Sequence, residues 1–293
     1  MKIIILFVSI CCMAISCSTE AVKKTKKEDD LIIKDEFKKS KKQVKTALNS
    51  DNDNISSTKN FDNGIVISWI KQGTGEKVVK GDVILIDYKV TLENGTIVDG
   101  NHLWKKESFP FVVGYQMQTK GWDFAIKNMK VGDFARVLIP ADLARGEKGI
   151  KKEGEKGWFV PPNSLNYLTI HIIKKQKPTR VIDGSKVWLF EENKSNKIKF
   201  NTTNAIVFHS MISSESNPMY YNSYRTNSPY KLFMTDKGIV PGLKKSLINA
   251  KKGDRMFVVI PSSEAFGLKG LEGFVKPNED LFYNILVMDV VEK

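Results

Sequence analysis

The strongest constraint on how this chain folds is an internal repeat. The segment Gly121-Trp-Asp-Phe-Ala-Ile-Lys-Asn-Met-Lys-Val-Gly132-Asp leads to Ile139-Pro140 and Gly146. Its counterpart, Gly242-Leu-Lys-Lys-Ser-Leu-Ile-Asn-Ala-Lys-Lys-Gly253-Asp, leads to Ile260-Pro261 and Gly267. All these matches share an offset of 121 residues, which also pairs Phe109-Pro110-Phe111 with Tyr230-Lys231-Leu232. Further on, Val160-Pro161-Pro162-Asn163 corresponds to Val275-Lys276-Pro277-Asn278 at an offset of 115, so the intervening loop is longer in the first copy. Solenoid repeats have periods of about 20–50 residues. A period of this size is a duplicated domain, and the 293-residue chain divides into copies at 61–177 and 178–293.

Within the first copy, Ile65–Lys71, Val83–Leu92, Phe134–Ile139 and Leu165–Ile173 alternate or run apolar, are rich in β-branched residues and are bounded by Gly, Asp or Pro. These are strand signals. Trp122, Ala125, Ile126 and Met129 fall at i, i+3, i+4 and i+7, one face of a short amphipathic helix. Gly132 stands where it would stop that helix. Leu243, Ser246, Leu247, Ala250 and Gly253 repeat the arrangement. With a hairpin signal at Asn94-Gly95, the pattern predicts an α+β class, in which an antiparallel sheet covers one short helix in each copy.

The N-terminal residues are different in kind. Met1-Lys2 is a short basic start, and Ile3 to Ser16 is an apolar run of 14 residues, too short to span a bilayer comfortably and placed like a secretory h-region. Ala14-Ile15-Ser16-Cys17 resembles the lipobox of bacterial lipoproteins, which implies a signal peptide at 1–16 and lipidation of Cys17. Residues 17–60 are rich in Lys, Asp, Asn, Ser and Thr and read as a flexible charged tether, with a helical turn or two available to Asp35–Leu48. The three cysteines are Cys11, Cys12 and Cys17, so everything downstream lacks disulfides, thiol nucleophiles and cysteine-ligated metal. His102, His171 and His209 are scattered without His-x-x-x-His or His-x-His spacing, so no metal site and no cofactor are expected. The net charge of +13 includes no basic stripe interleaved with aromatics, so nucleic acid is not an expected partner.

The first copy resembles the FKBP-type peptidyl-prolyl cis–trans isomerases. The resemblance runs through Gly81-Asp82-Val-Ile-Leu-Ile-Asp-Tyr88, Leu92-Glu-Asn-Gly95 and Asp99. It continues through Phe109-x-Phe111, Gly121-Trp122, Met129-x-x-Gly132, Ile139-Pro140, Ala144-x-Gly146 and Pro161-Pro162-Asn163. It implies two FKBP-like domains, each an antiparallel half-barrel sheet wrapped around a short amphipathic helix. It also implies a chemistry without nucleophile or metal, because rotation about an X–Pro bond breaks no covalent bond and is accelerated by binding the twisted amide better than the planar forms. By this resemblance Trp122 forms the floor under the proline ring, and Tyr88, Phe109, Phe159, Val160 and Leu168 form the walls. Asp99 is then the polar residue beside the amide, and the backbone N–H of Thr119 binds a substrate carbonyl.

The sequence departs from the family pattern at Val98 and Leu168, where aromatics are usual, and at Arg145, which replaces the tyrosine of Ala-Tyr-Gly and reads as a solvated surface residue. These departures predict a weakened activity. In the second copy Leu243 replaces the floor tryptophan and Asn222 stands at the acidic position. Tyr221, Tyr230, Val240, Leu243, Phe266, Phe274, Val275 and Tyr283 fit a lined pocket, so this degenerate copy is expected to be a binding or structural domain with weak or no isomerase activity. The lipoprotein start and tether resemble lipid-anchored FKBP-like proteins of Gram-negative envelopes, including those tied to gliding motility. The expected function is an isomerase that assists folding of proline-containing exported polypeptides. It would be held to the membrane by its N-terminal lipid, on the outer membrane facing the periplasm since Ser18 follows Cys17. The competing expectation is a non-catalytic, lipid-anchored chaperone or assembly protein that uses the same folds to bind peptide.

Overall fold

The computed structural model describes residues 54–101, 107–152, 156–191 and 197–292. The expected signal peptide, Cys17, the expected tether up to residue 53, the helical turn expected at Asp35–Leu48 and His102 lie outside the described residues. The first copy contains β1 (Ser57–Asn60), β2 (Val66–Lys71), β3 (Val83–Leu92), β4 (Ile97–Gly100), β5 (Phe109–Val112), α1 (Lys120–Lys127), β6 (Phe134–Ile139), β7 (Ile150–Lys151), β8 (Trp158–Val160) and β9 (Asn166–Gln176). Its sheet runs β1-β2-β6-β9-β3-β4, with β5 also paired to β3, and β7 and β8 form a separate small hairpin. The second copy contains β10 (Arg180–Ile182), β11 (Ser185–Glu191), β12 (Ala205–Ser213), β13 (Tyr221–Asn222), β14 (Tyr230–Phe233), α2 (Pro241–Leu247), β15 (Arg255–Ile260) and β16 (Leu281–Val291). Its sheet runs β10-β11-β15-β16-β12-β13, with β14 on β12, the same order element for element. Each copy is therefore α+β, an antiparallel sheet with one short helix.

The repeat extends to backbone conformation. Gly146 and Gly267 have φ of 59° and 58°, Asn163 and Asn278 have 58° and 63°, and Gly132 and Gly253 have 89° and 90°. The longer first-copy loop is the β7–β8 hairpin; its counterpart is a single bridge between Leu271 and Val275. In the second copy, Leu243, Leu247 and Ala250 join alternating residues of the sheet, such as Met256, Val258, Tyr283 and Ile285, in one apolar core.

Two expectations are corrected. The tether does not extend to residue 60: β1 pairs with β2 from Ser57 onward, and Ser56 Oγ donates to the Trp69 carbonyl at 2.9 Å, so polar side chains and main chain together hold this stretch on the sheet edge. Gly132 does not end α1. The helix stops at Lys127, where the N–H groups of Asn128 and Met129 bond three residues back, and Lys130 bridges to Lys77. The tightened last turn satisfies the end of the helix, and Gly132 instead supplies the left-handed turn into β6.

Gly270 has φ +66°, and a Cβ there would meet the Val275 carbonyl oxygen and lie 2.9 Å from Pro277 N, whereas Gly273 in the same loop has φ +74° but open space around it. Gly270→Ala is expected to destabilise the second domain by about 1–3 kcal/mol and Gly273→Ala by clearly less. Urea unfolding of the two variants checks this, and equal midpoints would show that the close approach is relieved at little cost.

Candidate functional site

In the first copy, β3 carries two clusters, pairing with β5 along Val83–Ile86 and with β4 along Lys89–Thr91. On the β5 side, Trp122 near the start of α1 is 4% exposed and stacks on Phe111, ring centroids 5.8 Å apart. Phe109, at the first position of β5, is half-buried. Thr119 is the residue preceding α1, in extended conformation, and its buried hydroxyl has no hydrogen-bond partner among the described residues. On the β4 side, Tyr88 is buried and its hydroxyl donates to Asp99 Oδ1 at 3.2 Å, while the Gly100 N–H donates to the same oxygen at 2.7 Å. Burial and the adjacent Asp99 charge push the Tyr88 phenol above its ordinary pKa, so it remains a neutral donor. Val160 on β8 and Leu168 on β9 are buried, whereas Phe159 is 42% exposed.

Arg145 corrects the sequence reading. It is half-buried, not solvated; burial lowers its pKa while the charge of Asp99 acts in the opposite sense. The cation that replaces the usual tyrosine thus lies within electrostatic reach of Asp99.

A residue that sequence reasoning passed over organises the approach to α1. The buried Asp123 carboxylate accepts from the N–H of Gly114 at 2.8 Å and of Gln116 at 2.6 Å. Burial raises its pKa, and the two amide bonds offset this in part. The residue 121 positions on is Lys244, whose ammonium donates to the carbonyls of Met234, at 3.0 Å, and Asp236. Those carbonyls belong to the peptide units equivalent to the ones whose N–H groups face Asp123. The two copies therefore present opposite poles of the same two peptides, each matched by a side chain of the opposite charge.

In the second copy, seven of the eight expected residues (Tyr221, Tyr230, Val240, Leu243, Phe266, Phe274 and Tyr283) line one cavity of about 330 Å³, together with Phe208, Ser210, Ile212, Tyr220, Gly238, Ile239 and Leu271. Val275 lies in the core instead, 4% exposed. Burial pushes Tyr220 up to about 12 and raises Tyr230 and Tyr283, so these phenols are neutral at physiological pH. Strand register gives correspondences that the loosely matching sequence around His209–Tyr224 hides. Ile86 faces Phe109 as Phe208 faces Tyr230, so Tyr88 corresponds to Ser210; Val90 faces Asp99 as Ile212 faces Tyr221. The residue in the place of Asp99 is thus Tyr221, and Asn222, assigned there from sequence, is one residue off. The alternation of Phe208, Ser210 and Ile212 was the available signal for the missed wall.

The FKBP-type peptidyl-prolyl cis-trans isomerase family model matches residues 74–173 and again 196–288. Human "Peptidyl-prolyl cis-trans isomerase FKBP4" is 27% identical over 232 residues, covering 76% of this chain and 48% of the human protein, so the chain spans about half the length of that relative. An "FK506-binding protein" of Neisseria meningitidis serogroup B is 29% identical over 111 residues, 38% of this chain and 95% of that protein. Among solved structures, the three FKBP domains of wheat FKBP73 align at a TM-score of 0.40 and 21% identity, over 81% of this chain and 100% of that one. With the family pattern met in two successive segments, the chain belongs to the FKBP-type peptidyl-prolyl cis–trans isomerase family.

Proposed function

We propose that residues 61–177 isomerise X–Pro bonds of exported polypeptides, and that the chain is tethered to the outer membrane, facing the periplasm, through a lipid on Cys17. The observation that carries the reading is Trp122, held against Phe111 at the start of the helix, in a chain with the family pattern around it. An aromatic floor of this kind takes a proline ring, and a water-poor surround favours the twisted, less dipolar amide over the planar one. Because only interactions stronger in the transition state than in the ground state raise the rate, the apolar walls and the amide N–H at Thr119 would do the work, without bond breaking. The buried Thr119 hydroxyl, without a hydrogen-bond partner among the described residues, supports a polar contact to substrate there.

Isomerisation of a model X–Pro peptide by the full chain tests the reading: acceleration is expected, and none at high enzyme concentration would sink it. The non-catalytic chaperone reading is favoured by one observation, the half-buried Arg145 within electrostatic reach of Asp99, which sets a cation near the carboxylate expected beside the amide site. Under it, Arg145→Tyr would leave the rate at background, whereas the isomerase reading expects a gain. For the anchor, labelling with palmitate is expected in the wild type and absent in Cys17→Ser; equal labelling would place the acyl chain elsewhere or nowhere specific.

A further inference from the structure

We propose that the second-domain cavity is a separate site for one bulky apolar side chain, of phenylalanine or leucine size, presented by an extended unfolded peptide, and that it holds this segment without isomerising it. Two truncations relative to the first copy make the room: Leu243 in place of Trp122 and, by strand register, Ser210 in place of Tyr88. The resulting space of about 330 Å³ is at the small end of the roughly 300–1,000 Å³ usual for ligand pockets. It is about twice the roughly 150 Å³ in which an apolar cavity holds a benzene ring. A proline ring would be loose in it, and a loose fit binds planar and twisted amides alike, which gives no acceleration.

The chemistry of the wall selects a neutral occupant. The first copy carries Asp99 and Arg145; the second has Tyr221 and Phe266 in their places, and among the described residues no charged side chain lines the cavity. The loop that supplies Phe266 also exposes apolar surface: Phe274 is 50% exposed, Leu271 37% and Leu268 82%. Apolar exposure concentrated beside a cavity marks an interaction site, and here it lets the residues flanking the anchor remain on a greasy rim. An unfolded polypeptide supplies such a segment.

The inference does not depend on isomerisation by the first domain, because its readout is equilibrium binding of a proline-free peptide. The probe is a fluorescein-labelled Ala/Ser octapeptide with a central Phe, titrated with the full chain by fluorescence polarisation and compared with central Leu, Ala and Pro. The Phe and Leu peptides are expected to bind at least about tenfold more tightly than the Ala peptide. Leu243→Trp refills the cavity and is expected to weaken the Phe peptide at least about tenfold. Since an added indole can overpack a core, Phe274→Ser at the exposed rim serves as a second variant, expected to weaken binding several-fold with circular dichroism unchanged. Equal affinity for the Phe and Ala peptides overturns the proposal. Undiminished binding by both folded variants does so too, and tightest binding of the Pro peptide would make the cavity a second proline site.

Discussion

Trp122→Ala in the full chain is expected to lower kcat/KM for an X–Pro peptide by roughly 10- to 100-fold. Burying an apolar ring of this size is worth about 1.5–3 kcal/mol, and each 1.36 kcal/mol is a factor of ten in rate. The side chain also packs on Phe111, and truncating a buried tryptophan costs about 3–5 kcal/mol of stability, so an alanine variant can lose activity simply by unfolding. Trp122→Leu separates the two effects, since the second copy folds around leucine at this position, Leu243 being 4% exposed on α2. The leucine variant should unfold in urea close to the wild type and still isomerise roughly tenfold more slowly. A folded Trp122→Leu protein with an undiminished rate would mean that the proline ring sits elsewhere.

Asp123→Ala is expected to cost about 2–5 kcal/mol in the first domain, because two N–H groups, those of Gly114 and Gln116, lose a charged acceptor at a largely buried place and each orphaned donor costs about 1–3 kcal/mol. Asp123→Asn keeps one acceptor oxygen and should lose about half as much. Asp123→Lys, the residue of the second copy, should be the worst of the three, since it aims an ammonium at two amide hydrogens. Lys244→Asp should be harmful for the mirror reason, facing the carbonyls of Met234 and Asp236. Urea unfolding of the full chain, followed by tryptophan fluorescence, measures all four. Two domains need not melt together, so the first-domain variants should move one transition and Lys244→Asp the other. Asp123→Lys unfolding like the wild type would show that the loop can flip its peptides freely.

The repeat, the strands and the helix face were legible because they rest on spacing. Val83–Leu92 and Phe134–Ile139 occupy the predicted residues, since alternation along a strand and a three-to-four spacing along a helix are set by local geometry. Most of the second cavity was legible for the same reason, through the offsets of 121 and 115 residues from the first copy. What escaped depends on contacts between distant residues. Along β12 the offset becomes 122 instead of 121, so Ser210 takes the place of Tyr88, and Tyr221, not the Asn222 read from sequence, takes the place of Asp99. Nothing local in the sequence records that slip, because only strand pairing defines it.

By itself the sequence determined that one domain is written twice, that each copy is an antiparallel sheet on a short helix, and where Trp122 and Leu243 stand. Periodicity and turn chemistry act over a few residues and survive divergence between copies. The tertiary structure alone decided how the two sites differ. Arg145 is half-buried within the field of Asp99, while the corresponding Tyr221 and Phe266 line an uncharged cavity. Asp123 and Lys244, both simply charged residues beside an apolar stripe, become opposite solutions to holding the same loop. Such outcomes turn on which peptide pole faces a largely buried charge, and on how much side-chain volume neighbouring strands bring to one point. Both are set only when residues far apart in the chain are packed together.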